Sequence, residues 1–128
     1  KLNVTIDRRS SMDAVVDVAD ESLDFVFIDA DHKYTSVCND IQEWSKKVRI
    51  GGIVSGHDYY KTRGENLGVI NAVNEHVAKH GYVLHLTNQI ENDDIYLAMD
   101  GRGNVIDGNW DSLTVDDRQP SWYFAKIR

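Results

Sequence analysis

Apolar and polar positions along this chain change period several times, and each change marks an expected element. Residues 3–6, with Val4 and Ile6, are short and β-branched and read as a strand. Ser10 and Ser11 then offer helix N-caps ahead of Met12, Val15, Val16 and Ala19, which share one helical face. Residues 23–28 are a compact apolar run bounded by acidic residues, the pattern of a strand buried on both faces of a parallel sheet. That run stops at Asp29, Ala30, Asp31 and His32. From Thr35 or Ser36 to about Lys47, Val37, Ile41, Trp44 and Val48 recur at helical spacing, with Cys38 beside the stripe. Arg49, Ile50, Gly51 and Gly52 read as a turn, and residues 53–55 as a strand ending at Gly56, His57 and Asp58. After a polar loop over residues 60–66, Val69, Val73 and Val77 predict a third helix, closed by Lys79, His80 and Gly81. Residues 82–86 and 95–99 alternate as strands, Asp100 and Gly101 form a turn, and residues 121–127 make a last strand with Trp122 and Tyr123 on opposite faces. The sum is an α/β sandwich whose parallel sheet acquires an antiparallel edge near the C-terminus.

Composition narrows the partners. With 128 residues, 41% hydrophobic and 27% charged, the chain has the balance of one soluble globular domain spanning residues 1–128. A net charge of −7 repels phosphate backbones and anionic bilayers, so neither nucleic acid nor membrane is expected as a partner. Cys38 is the single cysteine, which excludes an internal disulfide framework and a CxxC zinc site and fits a reduced, cytoplasmic setting. No apolar run approaches the roughly 18 residues needed to cross a bilayer. The start at Lys1 carries neither an initiator Met nor a leader pattern, and the domain reads as N-terminally incomplete.

The chemistry gathers where two consecutive strands end. Ligands of open α/β sheets bind beyond the carboxyl ends of the parallel strands. Were those strands neighbours, about 4.8 Å apart, Asp29, His57 and Asp58 could converge on one divalent cation. The imidazole widens the choice from Mg toward Mn, Fe or Zn. His32 could take a proton from a hydroxyl held there, since an ordinary imidazole titrates near pH 6.5. The same residue types also serve as helix caps and as simple His–Asp hydrogen bonds, and spacing alone leaves both readings open. His76 and His80 have i, i+4 spacing but lack the intervening Glu of a zinc protease, and read as surface residues. Gly101, Arg102 and Gly103 read as a hairpin loop and not as a nucleotide fingerprint, because no helix pattern follows. Trp44 reads as core, and Tyr59 and Tyr60 as substrate contacts next to the ligands.

Three groups of residues carry a resemblance. They are Ser22 through Ile28 followed by Asp29, Ala30, Asp31 and His32; Asp40 and Ile41 with Trp44; and Gly51, Gly52, Ile53, Val54, Ser55, Gly56, His57, Asp58 and Tyr59. Gly68 and Val69 with Ala72 and Val73, and Pro120, Ser121 and Trp122, extend it. The chain resembles the class I S-adenosylmethionine-dependent methyltransferases, in particular the small-molecule, metal-dependent O-methyltransferase-like branch, and matches their C-terminal two-thirds. The resemblance implies a Rossmann-like three-layer sandwich with a mostly parallel sheet and an antiparallel C-terminal edge, lacking the first strands. Residues 3–6, 23–28 and 53–55 would be the family's third, fourth and fifth strands. The family's glycine-rich cofactor loop and the acidic residue for the ribose have no counterpart in the sequence.

Carried over by position, the resemblance implies that Ser11, Met12 and Asp29 contact S-adenosylmethionine. It further implies that Asp29, His57 and Asp58 hold a divalent cation, Mg or Mn, and that His32 is the catalytic base. His57 stands where the metal-dependent members usually carry Asp or Glu. The expected function is therefore O-methylation of a hydroxylated small molecule such as a sugar, glycoside or polyphenol, with the acceptor chosen in part by the loop at residues 61–67. A metal-dependent hydrolase using the same carboxylates is the alternative, followed by a catalytically silent methyltransferase-like fragment. Missing first strands would leave an exposed sheet edge, so self-association through that edge is expected.

Overall fold

The computed structural model describes residues 2–60, 67–87 and 120–128. Among these residues the elements are α1 (Ser11–Val15), β1 (Leu23–Ile28), α2 (Tyr34–Lys47), β2 (Val48–Gly56), α3 (Gly68–His80), β3 (His85–Leu86) and β4 (Trp122–Ala125). The four strands form one sheet in the order β1-β2-β4-β3. β1 and β2 run parallel, joined by the crossover helix α2, while β4 is antiparallel to both β2 and β3. The expected antiparallel C-terminal edge is present. The expected mostly parallel sheet is reduced, among the described residues, to one parallel pair.

Local chemistry explains the helix ends. Ser10 Oγ accepts from the Asp13 amide at 3.2 Å and caps α1. At the start of α2, Asp31 accepts from the Lys33 amide and the Ser36 hydroxyl at 3.2 and 2.8 Å, and Lys46 and Lys47 complement the dipole in the last turn. α3 stops at Gly81, whose φ of +67° is a conformation that side chains disfavour and whose N–H bonds back to Val77 and Ala78 carbonyls.

Helices α2 and α3 close one face of the sheet. Val37 and Ile41 of α2 and Val69, Val73 and Val77 of α3 pack on Val54 of β2 and on Trp122 and Phe124 of β4. Trp44, expected in the core, is half-buried and bridges α2 to α1 through an indole N–H donated to Ser11 Oγ at 2.7 Å.

Four expectations need correction. β1 is not buried on both faces: Val26 and Ile28 face the helices, whereas Phe25 and Phe27 are 54% and 47% exposed, because the described helices lie on one side only. Among the described residues the sheet and the helices on it make two layers. Residues 3–6 form no strand, since no neighbour among the described residues supplies a hydrogen-bonded ladder, and Val4 and Ile6 are exposed. The expected turn at Arg49 to Gly52 is a bulge inside β2: between the pairs Leu23↔Val48 and Phe25↔Ile53 the partner strand gains extra residues, and Gly51 adopts φ +82°. The strand expected over residues 82–86 shrinks to β3, because Tyr82 donates its N–H to the Val77 carbonyl and stacks on Phe124 at 4.8 Å. The strand expected at residues 95–99, the turn at Asp100 and Gly101, the Gly101–Gly103 loop and the loop at residues 61–66 lie outside the described residues.

Candidate functional site

The pairing of Ile28 with Gly56 sets the ends of β1 and β2 side by side. Three contacts then hold the chain beyond β2. The His57 N–H donates to the Ile28 carbonyl at 3.0 Å, the Trp122 indole N–H donates to the His57 carbonyl at 3.2 Å, and the Tyr59 N–H donates to the Pro120 carbonyl at 3.1 Å. Gly56 permits this closeness, since a Cβ there would stand 2.5 Å from the Trp122 ring. Asp58 adopts φ +59°, a left-handed conformation uncommon for a residue with a side chain, and is buried.

That twist brings the ionisable groups together. Ligand atoms of Asp29, His57 and Asp58 all lie within 4.8 Å of one another. His32 Nε2 stands 2.7 Å from Asp58 Oδ2, and His57 Nδ1 stands 3.2 Å from Asp58 Oδ1, so the Asp58 carboxylate lies between two imidazoles. Asp29, His32, His57 and Asp58 line a cavity of about 10 Å³, room for one water molecule or bare cation. Ligands of a Mg or Mn ion lie about 2.1 Å from the metal and so up to about 4.2 Å apart. The widest pair of the trio therefore needs to close by at least about 0.6 Å around such an ion. Two carboxylates and an imidazole are a donor set that suits Mn, Fe or Zn better than Mg. Asp31 is not part of the cluster: its carboxylate is turned to the start of α2, and the Ser36 hydroxyl and the Lys33 amide hold its pKa below the ordinary value.

The structure thus brings together four of the expected site residues, Asp29, His32, His57 and Asp58. Ser11 and Met12 lie apart from that cavity on α1, where the Ser11 oxygen accepts from Trp44 and both side chains are half-buried. Tyr59 is a correction. It is 6% exposed, its hydroxyl donates to Asn74 Oδ1 at 2.6 Å, and burial raises its pKa, so it is core and not a substrate contact. Tyr60 is half-buried. His76 is likewise not a surface residue: it packs on Phe124 and His80, its Nε2 is buried with no hydrogen-bond partner among the described residues, and burial lowers its pKa to about 4. Gly56 and Trp122, which the sequence places at a strand end and in the last strand, support the cluster in a way that reading did not foresee. The one available signal was a glycine in the last position before the His-Asp pair.

Residues 2–59 match a family model described as a methyltransferase domain. The match covers a little under half of the chain and takes in α1, β1, α2, β2 and all four residues of the cluster. It supports a methyltransferase domain, of the transferase class of enzymes, with an α/β fold compatible with the sheet described. No curated protein and no solved structure matches the chain. Among the described residues, no helix is long and apolar enough to cross a membrane.

Proposed function

We propose that the chain serves an S-adenosylmethionine-dependent O-methyltransferase acting on a hydroxylated small molecule, with a divalent cation held by Asp29, His57 and Asp58. One observation carries this reading: ligand atoms from two adjacent parallel strands converge at their carboxyl ends, inside the segment that matches the methyltransferase family. When bound, a cation supplies Lewis acidity that lowers the pKa of an acceptor hydroxyl.

His32 then takes the hydroxyl proton. With Nε2–H donated to Asp58, the imidazole lone pair resides on Nδ1, the atom that accepts it. Asp58 orients the ring and stabilises the imidazolium that forms. S-adenosylmethionine, when bound, would supply the methyl group, which the deprotonated acceptor oxygen would receive as the sulfur–carbon bond is given up, leaving a neutral thioether. Ser11 and Met12 would border the cofactor's adenine, the hydroxyl of Ser11 keeping its own proton to donate while its oxygen serves Trp44.

Manganese binding followed by electron paramagnetic resonance tests the cation site. The chain should take up one Mn²⁺, and Asp29→Asn should weaken uptake about tenfold or more. A folded chain that takes up no Mn²⁺ at millimolar concentration ends the metal-assisted reading. Labelled methyl transfer from S-adenosylmethionine to a panel of phenolic and sugar hydroxyls tests the reaction. Ester or phosphate turnover without that cofactor would instead identify a hydrolase.

A further inference from the structure

Of the trio Asp29, His57 and Asp58, only His57 offers a nitrogen. Consecutive residues of an extended strand point to opposite faces. Just past β2 that alternation is broken, because Asp58 turns to φ +59°, and His57 and Asp58 therefore bring donor atoms to the same place. The mount of the imidazole is fixed as well. The His57 N–H is held by the Ile28 carbonyl at 3.0 Å, and the His57 carbonyl by the indole of buried Trp122 at 3.2 Å. Its ring stands beside Phe27 with centroids 6.4 Å apart, and its Nδ1 lies 3.2 Å from Asp58 Oδ1. A neutral imidazole carries a proton on one nitrogen and a lone pair on the other, and that lone pair is what a metal takes.

We propose that His57 is the residue that sets the metal preference of this site, turning it toward a nitrogen-binding transition ion such as Zn²⁺ and against Mg²⁺. The inference rests on the cation reading above and goes beyond it by assigning the choice of ion to one side chain. Compared with a third carboxylate, a neutral imidazole removes one negative charge and so weakens the pull on every divalent ion alike. It compensates only those ions that bond well to nitrogen, which Zn and Fe do, whereas Mg takes oxygen ligands. Space selects in the same direction. The cavity of about 10 Å³ admits one water-sized body, and Mg²⁺ parts with its waters reluctantly and usually keeps several. Zn²⁺ is satisfied by fewer ligands: the trio's donors fill all but one position of a four-coordinate ion, the pattern of catalytic zinc sites.

Mn²⁺ bound to the whole chain, read by electron paramagnetic resonance, is the reporter. Mg²⁺ should displace half of it only at a concentration about a hundredfold or more above that at which Zn²⁺ does. Electron spin-echo modulation of the bound Mn²⁺ should show coupling to a directly bound nitrogen. His57→Asp, which exchanges that nitrogen for a carboxylate oxygen, should abolish the coupling while Mn²⁺ stays bound, and should narrow the gap between Zn²⁺ and Mg²⁺ about tenfold or more. If His57→Asp fails to fold, His32→Gln decides, since it removes the other imidazole that lines the cavity and should leave the coupling in place. Mn²⁺ uptake without nitrogen coupling, coupling that vanishes with His32 while Mn²⁺ stays bound, an unchanged ion preference in folded His57→Asp, or Mg²⁺ competing as well as Zn²⁺ overturns the role of His57 and leaves the cation reading standing. No Mn²⁺ uptake at all ends both.

Discussion

Gly56→Ala is the most informative single change, because it adds one methyl group where two strands and an indole converge. The new Cβ would stand 2.5 Å from Trp122 Cζ2, 2.7 Å from Trp122 Cε2 and 2.6 Å from the Ile28 carbonyl oxygen. Neither neighbour yields easily. Trp122 is 1% exposed, and the Ile28 carbonyl is backbone that already accepts from His57. Reaching ordinary contact requires a shift of about 0.9 Å, which overpacking measurements place at about 1–3 kcal/mol. The same shift strains the hydrogen bonds from Trp122 to His57 and from His57 to Ile28, each worth about 0.5–1.5 kcal/mol. A loss of about 3 kcal/mol follows, or roughly 10 °C in melting temperature for a chain of this length. Thermal and urea unfolding measure it. Because His57 and Asp58 are the next two residues, Mn²⁺ affinity of the still-folded variant at low temperature should also fall, by about tenfold. A variant within about 0.5 kcal/mol of the parent would refute the account of why this strand end is a glycine.

Three further outcomes are expected. Tyr59→Phe should lower stability by about 1 kcal/mol through loss of the bond to Asn74, and should leave Mn²⁺ uptake unchanged; a tenfold loss of uptake would place Tyr59 in the site after all. Gly81→Ala should destabilise by about 1 kcal/mol, because φ +67° opposes a side chain and the Arg128 guanidinium it would meet has to shift from its exposed bonds to the His80 and Gly81 carbonyls; Gly81→Asn should cost less, and equal midpoints in urea for all three would contradict the left-handed cap. His76, whose pKa falls from 6.5 to about 4 through burial and the nearby His80 and Lys79, binds its proton more readily in the unfolded chain. Its contribution to stability is therefore complete above pH 6.5 and is lost as pH falls toward 4. His76→Leu should flatten the pH dependence of the urea midpoint in that window, and an unchanged slope would mean that His76 is not the titrating group.

Sequence alone determined the parts of this protein that depend on short-range pattern. Strand Leu23–Ile28 and the helix stop at Gly81 follow from residue order, since each rests on neighbours within a turn or a single strand. It also named Asp29, His32, His57 and Asp58, because residues that close two consecutive strands of a crossover unit share one end of the sheet. Tertiary structure decided the rest. Residues 3–6 have the composition of a strand but no partner in the described structure, and a strand exists only by pairing. Tyr59 points to Asn74, and His76 sits against Phe124, because α3 packs on β4, a contact between segments far apart in the chain. Whether Phe25 and Phe27 lie in a core or on a surface was likewise undecidable from their run of apolar neighbours. An apolar pattern shows that a face wants covering, and only packing shows which faces are covered.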